Sequence, residues 1–171
     1  DVMVLTYTYA DGRMTAIDSS GADVPAGAFS YGYLANSNLL ETVTHNNGTD
    51  DILELARSYD DADRLLSIAS STINPQPATV TSFTYTLDGQ GRRIKRTDAD
   101  GTWIDYSYNN RDELTGAVRS NYPAATPYGD YPYDYGYEFD DIGNHLTQTK
   151  NGVQTRGRYN NLNQLLEREI A

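Results

Sequence analysis

The chain has 171 residues, with 24 Asp and Glu against 13 Lys and Arg, a formal net charge of -11, and 38% hydrophobic residues. That is enough for one globular domain with a sizeable core, and the acidity disfavours a phosphate backbone, so no nucleic acid is expected as partner. The absence of Cys excludes a disulfide framework and thiol chemistry, two His leave little for metal or acid–base work, and there is no run of about 18 apolar residues to span a membrane as a helix.

Tyr is the unusual residue, with 15 copies against 3 Phe and 1 Trp. Rings and β-branched residues joined by Gly, Asn and Asp suit half-exposed strands and tight turns. The N-terminus, Asp1-Val2-Met3-Val4-Leu5, has neither the basic nor the long apolar stretch of a signal peptide. It opens directly in a strand-like run, as a segment of a longer chain would.

Period-two alternation bounded by turn residues predicts strands at 4–9, 29–34, 54–59, 81–87, 92–97, 102–108, 135–139, 145–150 and 153–159. Ile52-Leu53-Glu54-Leu55-Ala56-Arg57 could begin a helix, but it runs within a few residues into Tyr59 and is read as strand. Turn signals lie at Ser20-Gly21, Asn47-Gly48, Asp100-Gly101 and Asn151-Gly152. The last sits between two alternating runs and predicts a two-residue type I′ hairpin loop. Ile73-Asn74-Pro75-Gln76-Pro77 and residues 120–134 read as inserted loops.

A repeat underlies these elements. An aromatic residue is followed six positions on by Leu at Tyr33 and Leu39, Tyr59 and Leu65, Tyr108 and Leu114, and Tyr159 and Leu165. Looser copies begin at Tyr9, where Met14 comes one residue early, at Leu87, which replaces the ring, and at Phe139. Often a second ring lies two residues earlier, as Tyr7, Tyr31, Tyr85, Tyr106 and Tyr137 do, so both project from one strand face. Asp, Asn and Gly follow each anchor, then an alternating run such as Leu65-Leu66-Ser67-Ile68 returns. Each copy is therefore a β-hairpin, and the chain is expected to be one all-β antiparallel domain over 1–171.

The pattern Y-x-Y-D-x-x-G-R-L-x-x-I in these copies resembles the YD repeat of the Rhs proteins, of toxin-complex shell subunits and of the teneurins. Ser58 through Leu65, Tyr85 through Ile94, Tyr137 through Leu146 and Arg158 through Leu165 carry it best. The Gly-Arg pair of the pattern is replaced by Ser37-Asn38 in one copy and by Asp112-Glu113 in another, both at turn positions. The resemblance implies a continuous sheet that curls or spirals as part of a shell able to enclose a toxic domain. It also implies a secreted or cell-surface setting, with other repeats of the same or neighbouring chains as partners through strand addition.

The candidates for chemistry are weaker than this structural reading. Asp98-Ala99-Asp100-Gly101 resembles the start of a calcium loop but reads better as a turn. Asp50-Asp51, Asp60-Asp61-Ala62-Asp63 and Asp140-Asp141 could supply glycosidase carboxylates, yet they recur where turns want them. His45 and His145 read as solvated residues at or near turns. Arg92-Arg93-Ile94-Lys95-Arg96 reads as a solvated strand lying against acidic neighbours. Tyr122, Tyr128, Tyr131 and Tyr133 fall outside the repeat frame and form a candidate surface for glycans or a protein partner. A structural protein is expected, not an enzyme, and no cofactor or metal.

Overall fold

The computed structural model describes residues 2–21, 24–74, 78–120 and 134–171. Among them are 14 strands and no helix. In chain order these are β1 (Val4–Ala10), β2 (Arg13–Gly21), β3 (Val24–Tyr33), β4 (Leu40–Asn46), β5 (Asp51–Tyr59), β6 (Leu65–Thr72) and β7 (Ala78–Leu87). Then follow β8 (Arg93–Asp98), β9 (Trp103–Tyr108), β10 (Leu114–Ser120), β11 (Asp134–Phe139), β12 (His145–Lys150), β13 (Val153–Tyr159) and β14 (Leu165–Ile170). The Ile52–Arg57 segment lies inside β5. The Tyr-rich stretch 121–133, with Tyr122, Tyr128, Tyr131 and Tyr133, lies outside the described residues.

The chain divides into two compact units, Asp1–Tyr85 and Thr86–Ala171. In the first, β1 to β7 pair antiparallel in sequence order. In the second, β8 to β14 do the same. Far-ultraviolet circular dichroism should show a β spectrum, and a helix-dominated one would contradict the meander.

Alternation gives each unit two unlike faces. In the first unit one cross-strand row reads Tyr7, Ile17, Phe29, His45, Leu53. The neighbouring row on the opposite face reads Thr8, Ala16, Ser30, Thr44, Glu54, Ser71. One face thus carries large apolar and aromatic side chains, the other small and polar ones. On the small face Gly32 leaves room for Thr42, whose hydroxyl would clash with a Cβ at that position. In the second unit the apolar face holds Tyr106, Ala117 and Tyr135 in one row and Arg96, Ile104 and Arg119 in the next.

Few side chains are fully buried. Ile104 and Ala117 are 4% and 7% exposed, and Thr102 is completely enclosed. The other described residues divide about evenly between half-buried and exposed, because a single sheet layer covers each residue only with its neighbours along and across the strands. Both histidines lie near turns, as expected, but are half-buried instead of solvated. His45 lies within β4 and stacks on Phe29 (ring centroids 4.7 Å), and His145 opens β12 against Phe139 (4.6 Å) and Tyr137 (5.6 Å). Imidazole is flat enough to serve there as one more ring of the aromatic face.

Candidate functional site

The structure that recurs along this chain is the junction between one hairpin and the next, built at the anchor positions. At Tyr59 the strand ends and Asp60 closes the turn. The Asp60 N–H donates to the Arg64 carbonyl (3.0 Å), and the Asp63 N–H donates back to the Asp60 carbonyl (3.0 Å). One carboxylate oxygen of Asp60 accepts the N–H groups of Ala62 (3.0 Å) and Arg64 (2.9 Å), and the other accepts Arg64 Nε (2.7 Å). Asp88, Asn109, Asp140 and Asn160 repeat the pattern, each accepting the N–H groups two and four residues on. The residue before the last of these takes left-handed backbone: Asp63, Gly91, Asp112, Gly143 and Asn163 have φ of 61°, 85°, 64°, 90° and 59°. Gly, Asn and Asp enter that region at the least cost, which accounts for their recurrence here.

These bonds also set the charge state of the turns. Asp60 is held below the ordinary 3.8 chiefly by the Arg64 N–H. Asp88 is lowered chiefly by the Arg92 guanidinium, and Asp140 by the Asn144 side-chain amide. Asp100 is lowered by the Thr102 hydroxyl. A carboxylate whose pKa is lower folded than unfolded stabilises the fold above its unfolded value, and that stability is lost as pH falls through the lowered value. The melting temperature should therefore hold near neutrality and fall below about pH 4, where free Asp protonates. Thermal melts across that range check this; a melting temperature unchanged into strong acid would contradict it.

Each anchor faces a fixed partner across its hairpin. Tyr9 stands opposite Met14, Tyr59 opposite Leu65, Tyr108 opposite Leu114, Phe139 opposite His145 and Tyr159 opposite Leu165. Just beyond each pair the returning strand carries a bulge, so that Leu66, for example, has no partner between the Ser58–Ser67 and Tyr59–Leu65 pairs. Leu87 ends β7, directly before the Asp88 turn. Tyr33 differs: it faces Leu40, not Leu39. The residue after this anchor is Leu34, which offers no side-chain acceptor. The turn is one residue longer, with the Leu34 N–H on the Leu39 carbonyl (2.9 Å), so Leu39 closes the turn instead of meeting the ring.

A further bond, which sequence spacing alone did not reveal, ties successive hairpins together. Tyr33 Oη donates to the Met14 carbonyl (2.7 Å), Tyr59 Oη to the Leu40 carbonyl (2.7 Å) and Tyr108 Oη to the Arg93 carbonyl (2.8 Å). Met14 and Leu40 are the residues facing the preceding anchors, Tyr9 and Tyr33. The ring of one hairpin thus lies over the strand of the one before and pins its end. Arginines reinforce this at two junctions. Arg13 lies over the Tyr33 ring (4.9 Å) and donates to the Ser37 carbonyl, and Arg92 lies over Tyr108 (4.8 Å) and reaches Asp112 (2.6 Å). The preference for Tyr over Phe was the available signal, since a hydroxyl at a half-buried position seeks an acceptor.

The other sequence candidates are placed as follows. Asp98–Thr102 is a turn, with Asp98 N–H on the Thr102 carbonyl (2.8 Å) and Gly101 at φ 79°. The Asp98 carboxylate is held by Arg96 (2.8 and 3.0 Å) and Arg119 (3.1 Å). Among the described residues no group of three or more His, Asp and Glu is placed to hold a metal ion. Within the basic run, Arg92 pairs with Asp88 and Asp112, Lys95 with Asp105 and Arg96 with Asp98. On the apolar face of the second unit, Arg96, Arg119, Tyr106, Tyr135 and Tyr137 surround an open hollow of about 410 Å³ floored by Ile104 and Ala117.

A meander of hairpins with these junctions can be compared with solved structures. The fold is like that of the TcdB2-TccC3 crystal structures. TcdB2-TccC3 without its hypervariable C-terminal region matches 98% of this chain at TM-score 0.70 and 15% identity. TcdB2-TccC3-TEV matches 98% at 0.68 and 16%, and TcdB2-TccC3 itself 98% at 0.67 and 16%. In each case this chain spans 9% of the other chain's length. At that identity the likeness is one of fold. No protein-family model and no curated protein sequence matches the chain.

Proposed function

We propose that this chain is a stretch of YD-repeat wall in an Rhs-type shell, secreted or exposed at the cell surface, with a structural role and no catalytic one. The observation that carries the proposal is the junction. The same turn, bulge and ring recur from hairpin to hairpin, and the tyrosine hydroxyl bond recurs at three of the anchors. Such a unit extends a sheet without limit and does nothing else as well, since each hairpin lacks a core without its neighbours. The fold likeness over 98% of the chain to TcdB2-TccC3, a toxin-complex structure, supports the same role. A wall of this kind encloses cargo by size and closure, as the toxin-complex resemblance suggests. The test is to express the whole reading frame that contains this segment and image the particle. A hollow particle that shields an enclosed domain from protease is expected; a solid particle, or a domain digested as fast as when free, would contradict the proposal.

A second function, glycan binding, is favoured by the hollow in the second unit. Tyr106, Ala117 and Tyr135 form one row of its lining, and Arg96 and Arg119 stand beside them to exchange hydrogen bonds with hydroxyls. A glycan array should then give signal that Tyr135→Ala removes; a blank array would dispose of it.

A further inference from the structure

We propose that the saccharide taken by the aromatic face of the second unit is acidic: a uronic-acid oligosaccharide whose carboxylate meets Lys150 while its rings lie in two hollows on either side of Tyr135. The proposal rests on the glycan reading of the hollow floored by Ile104 and Ala117. It adds the charge of the ligand, its extent and the residue that recognises the charge.

The charge of this face is opposite to that of the chain. Among the described residues, alternation along β8 to β14 brings Arg96, Arg119, Lys150 and Arg168 to the aromatic face against one strand acid, Asp98, although the net charge is -11. Asp98 is already engaged, by Arg96 (2.8 and 3.0 Å) and by Arg119 (3.1 Å). Lys150 differs. It takes part in no ion pair among the described residues, and its ammonium stands over the Tyr135 ring, 5.8 Å from the centroid. A ligand carboxylate can therefore approach it without first breaking a salt bridge. The strands that carry this pair, β11 and β12, are each paired on both sides within the unit, by β10, by one another and by β13.

The extent follows from the row in which Tyr135 stands. It faces Ala117 on one side and Lys150 on the other, so it separates two hollows. One is the hollow of about 410 Å³ already described. The other, of about 380 Å³, is lined by Gln148, Lys150, Asn151, Val153 and Thr155. Both are of the size that small ligands occupy. A sugar unit in each, joined across Tyr135, sets the carboxylate of the second beside Lys150. The Tyr135 and Tyr137 rings lie nearly parallel (12°, centroids 6.4 Å apart), which offers a flat apolar surface to the C–H face of a pyranose. An acidic peptide fits less well. An extended peptide binds a sheet through unpaired main-chain groups at an edge, and β11 and β12 have already paired theirs on both sides.

Three probes separate charge from sugar: a tetragalacturonate, its full methyl ester and a tetraglutamate, each titrated into the chain in a calorimeter. The tetragalacturonate should bind, and the ester, which keeps every ring and loses every charge, should bind roughly threefold more weakly, the worth of one exposed ion pair. That difference should shrink at about 0.5 M salt. Lys150→Gln, at an exposed position, should bring the acid down to the ester and leave both the ester's affinity and the melting temperature unchanged. Lys95→Gln, on the opposite face, should leave the preference for the acid intact. Equal affinity for acid and ester, or a Lys150→Gln chain that still tells them apart, would overturn the proposal, while binding of both would leave the glycan reading standing. Tetraglutamate bound as tightly as tetragalacturonate would overturn it as well, since charge alone would then be recognised. Binding of neither saccharide would overturn it too, and the glycan array would then decide the wider reading by itself.

Discussion

Tyr59→Ala should cost about 2–4 kcal/mol, because it removes a half-buried ring that fills the step between two hairpins. Tyr59→Phe separates the two contributions of this side chain. It keeps the ring and deletes only the bond from Tyr59 Oη to the Leu40 carbonyl (2.7 Å), so it should cost roughly 0.5–1.5 kcal/mol. The exposed Asp61, next to the carboxylate that builds the turn, should tolerate Asn to within about 0.5 kcal/mol. Urea titration of the three variants checks the order. A larger loss from Asp61→Asn than from Tyr59→Ala would mean that the rings do not hold the hairpins together.

The second large effect is expected at Gly157. A Cβ there would lie 2.8 Å from the His145 carbonyl oxygen and 3.2–3.3 Å from the Tyr159 ring and hydroxyl. The anchor ring folds back over this position, above the strand of the preceding hairpin, and backbone on the far side cannot yield. Gly157→Val should therefore cost about 1–3 kcal/mol, as overpacking does. Gly89, which has nothing within 4 Å, is the control. Gly89→Ala should be neutral or slightly stabilising, since it restricts only the unfolded chain. Equal losses at the two sites in thermal or urea melts would place the cost in glycine entropy and remove the steric explanation.

The strands were legible in the sequence because their signal is local. Alternation and turn residues mark each hairpin, and Asn151-Gly152, both at positive φ, forms the loop between β12 and β13. What the sequence hid depends on partners set by the register between hairpins. The destination of the Tyr hydroxyls is a carbonyl 19 residues away for Tyr33 and Tyr59 and 15 for Tyr108, so no short window contains it. The interval of six from Tyr33 to Leu39 does not say which residue faces the ring, because that depends on what closes the turn. Leu34 cannot do what Asp60 does, and one added residue moves Leu40 into place. The burial of the two histidines was hidden for a related reason. Polar character suggested solvent, whereas a strand position on the aromatic face rewards any flat ring. Asp60 and Asp61 looked equivalent in the sequence, and only the fold distinguishes the one that accepts three bonds.

Interchangeable hairpins joined by one kind of junction are the centre of this account, and deleting one repeat tests it most directly. Removing residues 34–59 joins Tyr33 to Asp60, keeps an anchor before an intact turn and preserves the alternation of strand direction. Removing residues 34–46 instead takes out a single strand and reverses that alternation for everything after it. Amide hydrogen exchange should find the strands of the first variant protected and its unfolding cooperative, at a lower melting temperature. The second variant should lose protection on both sides of the cut. Equal loss of protection in the two variants would contradict the account, since the junctions would then be particular to each neighbour and the hairpins not repeats in any physical sense.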